Sequence, residues 1–223
     1  MFAQKHSSSH CIMSPIFSTL IPAKRSWYFI VFPLFLSLLT GCAQQAPIAT
    51  TTDWVTHEKA LENLSRYDAK GKLGYKAPKL RFGGNMIWQT TPNSDKLLLT
   101  NFLGKTLLKL DATPKMTTLV DYDGKQHSGA NASELVRELT GINLPIEQMR
   151  DWLIGLPTAA DTYQLNPQNR VAYLAKQVDG QIWEMDYQEY DYSIYPSLPK
   201  RMVLTQDKQQ ITLIINEWDI HKK

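Results

Sequence analysis

The residue with the strongest claim to chemistry in this chain is Cys42. It ends the string Leu39-Thr40-Gly41-Cys42, after thirteen mostly apolar residues, 27–39, that Lys24 and Arg25 precede. A basic n-region, an apolar h-region of that length and small residues before the cut make up a secretory signal, and the run falls short of the ~20 residues of a membrane span. Cleavage before Cys42 and acylation of its thiol, as at a bacterial lipobox, are the chemistry expected. Met13 is an alternative start, and nothing downstream depends on which is used.

Other candidates fail on spacing. Gly104-Lys105-Thr106 has the tail of a phosphate-binding loop, but Leu99 stands where its first glycine belongs. The flanks read strand to strand, and a phosphate cradle needs a helix N-terminus. His57, His127 and His221 fall in different elements without metal-ligand spacing, and no Gly-x-Ser-x-Gly elbow exists for a nucleophilic serine. Asp121 and Asp123 beside Gly124 fit a tight turn better than a calcium loop. Glu184, Asp186, Glu189 and Asp191 could supply a catalytic pair, though spacing near two is that of a solvated strand face. The expectation is a protein with no active site, cofactor or metal.

Three segments are expected: a leader over 1–41, a polar tether over 42–52, and one domain over 53–223. The leader holds Lys5, Lys24 and Arg25 and no acid, leaving 21 cations against 21 acids in the remaining 182 residues. The basic pI of 8.7 therefore belongs to the leader and argues nothing for nucleic acid. Cys42 is the only cysteine after the leader, so no disulfide forms within the domain.

Asp53 can cap a helix in which Trp54, Leu61, Leu64 and Tyr67 recur at helical spacing. The period then becomes two: Gly71, Leu73, Tyr75 and Ala77 alternate with lysines, and Phe82, Gly84, Met86 and Trp88 follow. Strands are predicted over 96–100, 106–111 and 117–122, with an Asp123-Gly124 turn. Asn131 and Glu134 have capping-box spacing and Gly141 sits at a C-terminal cap. Pro145 opens a second helix that ends at Gly155. Strands resume over 170–176, 181–189, 200–205 and 210–218. Short strands at hairpin spacing, with helices inserted, argue an antiparallel sheet that the helices cover.

Trp88, Trp152 and Trp183 fall on apolar faces. They are candidates to line an acyl-chain cavity, or they are ordinary core; a covered concave sheet must fill its hollow or hold an apolar ligand. Phe102 and Leu103 stand between the turn residues Asn101 and Gly104. The residues alone favour a turn that folds back to bury them, because loops rarely leave apolar area exposed.

Residues 53–220 resemble the LolB family of outer-membrane lipoprotein receptors. The resemblance is carried by Trp54 with His57, by Leu-Leu-Leu-Thr-Asn-Phe-Leu-Gly over 97–104, and by Leu139-Thr-Gly141. It continues through Trp-Leu-Ile-Gly-Leu-Pro over 152–157, Trp183 with Tyr187, Tyr190-Asp191 and Trp218. It implies an unclosed antiparallel β-barrel with helices covering the opening and an apolar cavity. It also implies a protruding hairpin loop whose leucine, matched by Leu103, inserts cargo into the membrane. The chain departs from the family in carrying Phe102 where that loop often has proline. The implied partners are a LolA-type periplasmic carrier, acylated lipoprotein cargo and outer-membrane lipid; the protein is expected to be a monomer. Ala43 after the modified cysteine, rather than an aspartate, fits outer-membrane sorting. Two rival readings stay open: a hydrolase using a carboxylate pair in the hollow, and a structural lipoprotein with a filled barrel.

Overall fold

The structure, a computed structural model, describes residues 52–142 and 144–222, so the leader and Cys42 lie outside the described residues. Asp53 begins α1 (Trp54–Glu62) by accepting the Thr56 amide at 3.0 Å, the N-cap bond expected of an aspartate. The helix stops five residues before Tyr67, because Leu64 already starts β1 (Leu64–Lys76). Tyr67 and Ala69 pair on both sides, with Thr90 and Trp88 and with Ile220 and Trp218. Two full ladders outweigh one more turn of helix.

The strands that follow are β2 (Arg81–Thr91), β3 (Ser94–Thr100), β4 (Thr106–Ala112), β5 (Thr117–Val120) and β6 (Gln126–Gly129). Helices α2 (Ala132–Thr140) and α3 (Ile146–Trp152) interrupt them. The chain returns through β7 (Thr162–Leu165), β8 (Val171–Val178), β9 (Gln181–Asp191), β10 (Leu198–Gln206) and β11 (Gln209–Lys222). All eleven join one antiparallel sheet in the order β6-β5-β4-β3-β2-β1-β11-β10-β9-β8-β7. Its ends, β6 and β7, do not pair, so the expected unclosed barrel is what forms.

The sheet curls where two glycines let backbone approach backbone. A Cβ on Gly71 would lie 2.0 Å from the Ile214 carbonyl oxygen, and one on Gly84 would lie 2.0 Å from that of Thr100. Gly71 sits at a register shift against β11 and Thr100 at one against β4, and such bulges bend and twist a sheet. The concave face collects Ala69, Met86, Trp88, Leu97, Leu110, Met185 and Leu213, all buried. The members of this core run from Leu61 to Ile215, so the domain carries its own core.

The helices cap one another. Asn131 accepts the Glu134 amide at 2.8 Å and Gly141 closes α2 at φ 72°, as the sequence predicts. Pro145 offers α3 no side-chain cap. Ser133 of α2 does so instead, accepting the Ile146 amide at 2.9 Å, while Glu147 of α3 accepts the Ser133 amide at 3.1 Å.

Candidate functional site

Helix α3 lies over the hollow of the sheet, and polar groups from both sides of the barrel hold it there. The Tyr67 hydroxyl of β1 donates to the Arg150 carbonyl, and the Tyr187 hydroxyl of β9 donates to the Trp152 carbonyl at 2.7 Å. Both carbonyls belong to the last turn of α3, where helical amides run out; the Trp152 carbonyl also accepts the Gly155 amide at 3.0 Å. Burial pushes both phenol pKa values upward, so the hydroxyls remain neutral donors. Arg150 reaches outward from α3 to the β2–β3 hairpin. Its Nη2 donates to the Thr91 carbonyl at 2.8 Å, and its Nη1 stands 3.4 Å from the Asp95 carboxylate. Asp95 also accepts the Thr90 hydroxyl at 2.7 Å, and Thr90 accepts the Trp88 indole N–H at 3.1 Å. Burial raises the Asp95 carboxyl pKa; the hydrogen bond from Thr90 and the Arg150 charge oppose that shift.

Under α3 lies an apolar cavity of about 30 Å³, with Leu144, Met149 and Leu153 above and Met86, Trp88 and Leu213 among the residues below. Ligand pockets usually measure ~300–1,000 Å³. With α3 in this position, the side chains fill nearly all of the hollow. Of the three tryptophans singled out from sequence, Trp88 lines this cavity. Trp152 and Trp183 are fully buried in the same core cluster but do not line it. The Trp152 indole donates to the Thr158 carbonyl at 3.1 Å, while that of Trp183 has no hydrogen-bond partner among the described residues. Glu184 and Asp186 alternate with buried Trp183, Met185 and Tyr187 and are exposed. They therefore point away from the hollow in which a hydrolase would need its carboxylate pair.

The β3–β4 loop projects from one end of the sheet. The Asn101 side-chain oxygen accepts the amides of Leu103 and Lys105, each at 2.9 Å, and Gly104 turns the chain at φ 82°. Asn101 thus satisfies the turn internally, and five residues are too few to fold back over the sheet edge. Leu103 is 94% exposed and Phe102 75% exposed. The burial that the residues alone favour does not occur.

A buried pair fixes the start of the domain. Arg170 donates to the Ser197 hydroxyl at 2.5 Å and to the carbonyls of Thr52, Gln168 and Asn169 at 3.2, 3.0 and 2.9 Å. His57, 1% exposed, has no partner for Nδ1 among the described residues. Burial, aided by the Arg170 charge, lowers its pKa to about 4, so the imidazole is neutral at neutral pH.

The family model described as outer membrane lipoprotein LolB matches residues 65–218. The chain belongs to the LolB family. The outer-membrane lipoprotein LolB of Vibrio parahaemolyticus is 38% identical over 196 residues, 86% of this chain and 97% of that relative. The LolB of Yersinia enterocolitica is 35% identical over 206 residues, 90% of this chain and all of that protein. Among solved structures, a LolA superfamily protein of Nitrosomonas europaea aligns with a TM-score of 0.47 at 7% identity, covering 77% of this chain and 95% of its own. Membership makes this chain an outer-membrane lipoprotein, and among the described residues no helix is long and apolar enough to cross a membrane.

Sequence reasoning missed the Arg150–Asp95 contact and the two tyrosines that hold α3. One signal was available: Asp95 shares a strand face with Leu97 and Leu99, and a carboxylate in an apolar row calls for a partner.

Proposed function

We propose that this LolB-family protein accepts acylated lipoproteins from a LolA-type periplasmic carrier and inserts them into the outer membrane. It is itself anchored by acyl chains on Cys42, at the periplasmic face, and acts as a monomer without nucleotide hydrolysis. In this reading residues 1–41 are removed and 42–52 tether the domain. The observation that carries the proposal is the solvent-facing Phe102–Leu103 tip, on a turn that Asn101 satisfies internally. Burying an apolar side chain is worth ~1.5–3 kcal/mol, enough for two of them to hold the tip briefly in hydrocarbon.

Cargo chains, at ~0.8 kcal/mol per CH₂ withdrawn from water, need cover throughout transfer. The hollow beneath α3 supports that role: its lining is apolar, so chains are held with few polar anchors to slow release. Because the closed cavity is far smaller than one chain, α3 swings outward to admit it, and the Arg150 contacts set the cost of that opening. Direction comes from affinity differences between carrier, receptor and bilayer.

The test scores two steps separately: transfer from carrier to receptor, and transfer from receptor to liposomes. Leu103→Glu places a carboxylate where hydrocarbon resists it by ~2.5–3.5 kcal/mol at full depth. Acceptance should be near normal and release into liposomes lost. Leu103→Ala should show a partial defect, because Phe102 remains. Loss of acceptance with unchanged release would instead make the loop a carrier-docking element.

A further inference from the structure

At its end of the sheet the loop is flanked by two other hairpins, β1–β2 and β5–β6. Strands β1 and β2 continue four residues past the rung of Asn85 with Thr100 and turn over 77–80. On the other side, the Lys105 ammonium stands 5.8 Å from the Tyr122 ring centroid in the β5–β6 turn. Phe102 joins loop and first hairpin sideways. Together with Gly74, Gly83 and Ile214 it borders a shallow groove of about 240 Å³, left open because the two glycines face each other across a rung. Leu80 and Tyr122 are 48% and 60% exposed, so apolar groups protrude from all three turns.

The charge around the first hairpin is one-sided, although Asp121 and Asp123 stand on the β5–β6 turn and Asp207 on the β10–β11 turn at the same end. Residues 71–94 contain Lys72, Lys76, Lys79 and Arg81 and no Asp or Glu. All four are exposed, and among the described residues none forms an ion pair. The chain after the leader is charge-balanced, so this excess is local. Exposed apolar tips collared by unpaired cations suit the interface of an anionic bilayer.

We propose that this end is a docking surface for anionic phospholipid. Lys76, Lys79 and Arg81 engage headgroup phosphates while Leu80, Phe102 and Leu103 enter the acyl boundary. The inference rests on the loop being a membrane element, as proposed above, and adds the lipid class it selects. An acidic protein is the weaker fit, because the apolar groups stand on separate turn tips rather than along one continuous groove.

The test measures flotation of the acyl-free protein, residues 43–223, with vesicles of phosphatidylethanolamine and phosphatidylcholine, with and without phosphatidylglycerol. Wild type should prefer the phosphatidylglycerol vesicles at low salt and lose that preference as ionic strength rises. A wild type with no such preference overturns the proposal without any variant. The triple variant Lys76→Gln, Lys79→Gln, Arg81→Gln should keep its melting temperature and its binding to neutral vesicles. Its partition onto anionic vesicles should fall on the order of 100-fold, as ~1 kcal/mol per basic residue requires. Wild-type binding of the triple variant overturns the proposal, as does intact vesicle binding with lost acceptance of cargo, which would make the surface a carrier site. The two readings separate in Leu103→Glu. Loss of binding to both vesicle types, with a fully active triple variant, retains the loop and rejects the basic surface. Unchanged binding by Leu103→Glu, with the phosphatidylglycerol preference intact, rejects loop insertion and supports the basic surface.

Discussion

Replacing Arg150 with alanine should make the protein bind acyl chains more tightly while making it less stable. The side chain ties α3 to the β2–β3 hairpin through the Thr91 carbonyl at 2.8 Å and the Asp95 carboxylate at 3.4 Å. A hydrogen bond from a charged donor contributes ~1.5–3 kcal/mol. The ion pair adds less than ~1 kcal/mol, because both side chains retain some exposure to solvent. Taking the low end, Arg150→Ala shifts the equilibrium toward the open position of α3 by about 2 kcal/mol, or ~30-fold. A ligand that binds only the open form has an apparent Kd divided by the open fraction, so affinity should rise by up to ~30-fold. The melting temperature should fall by ~4–8 °C for a domain of this size. The assay is titration with an apolar fluorophore displaced by an acylated peptide, with hydrogen exchange followed over residues 144–156. Arg150→Lys, which keeps the charge without the forked geometry, should fall between. Unchanged or weaker binding by Arg150→Ala, together with faster exchange over α3, would refute the idea that helix opening limits entry.

Two further outcomes test the interior. His57 titrates near 4 in the folded protein against 6.5 for an ordinary imidazole. The unfolded chain therefore binds more protons between those values, and stability should fall by up to ~3 kcal/mol as pH drops from 6.5 toward 4. Urea melts across that range should flatten in His57→Leu, and an unaltered acid limb would place the titration elsewhere. Trp183→Phe removes a buried indole N–H that lacks a partner among the described residues, whereas Trp152→Phe breaks the bond to Thr158. Equilibrium unfolding should find the Trp183 variant ~1–2 kcal/mol less destabilised than the Trp152 variant, and the reverse order would mean that ring packing dominates.

Local signals were legible and distant ones were not. Asn131, Gly141 and the Asp123-Gly124 turn act within a few residues of themselves, and each does what its residue type requires. Leu64 and Tyr67 read as helix because a separation of three is helical and would put them on opposite faces of a strand, and only β2 and β11, whose ladders start at Thr90 and Lys222, decide the matter. The four-residue edge strands β6 and β7 were missed for a related reason. They pair on one side only, β6 carries no large apolar residue, and β7 alternates over only four residues and buries none of them. Phe102 and Leu103 were conspicuous as misplaced apolar residues, but their exposure depends on Asn101 closing the turn with its own side chain. The hold on α3 joins residues 35 to 83 positions apart, a separation that no periodicity reports.

Arg170 has a consequence for how the whole molecule works at its membrane. Its bond to the Thr52 carbonyl fixes the point at which the chain enters the domain. In the proposed reading, with acyl chains on Cys42 as the anchor, the ten residue steps from Cys42 to Thr52 allow a leash of at most ~36 Å at no more than ~3.6 Å each. A domain of this length has a radius of gyration of about 15 Å, so an anchored copy stays within roughly one diameter of the bilayer. Each touch of the loop is then an intramolecular event at a local concentration in the ~mM range. The leash supplies the residence time and the loop needs only a weak grip. In the proposed transfer cycle individually weak contacts suffice for that, because the leash returns the tip to the bilayer after each release.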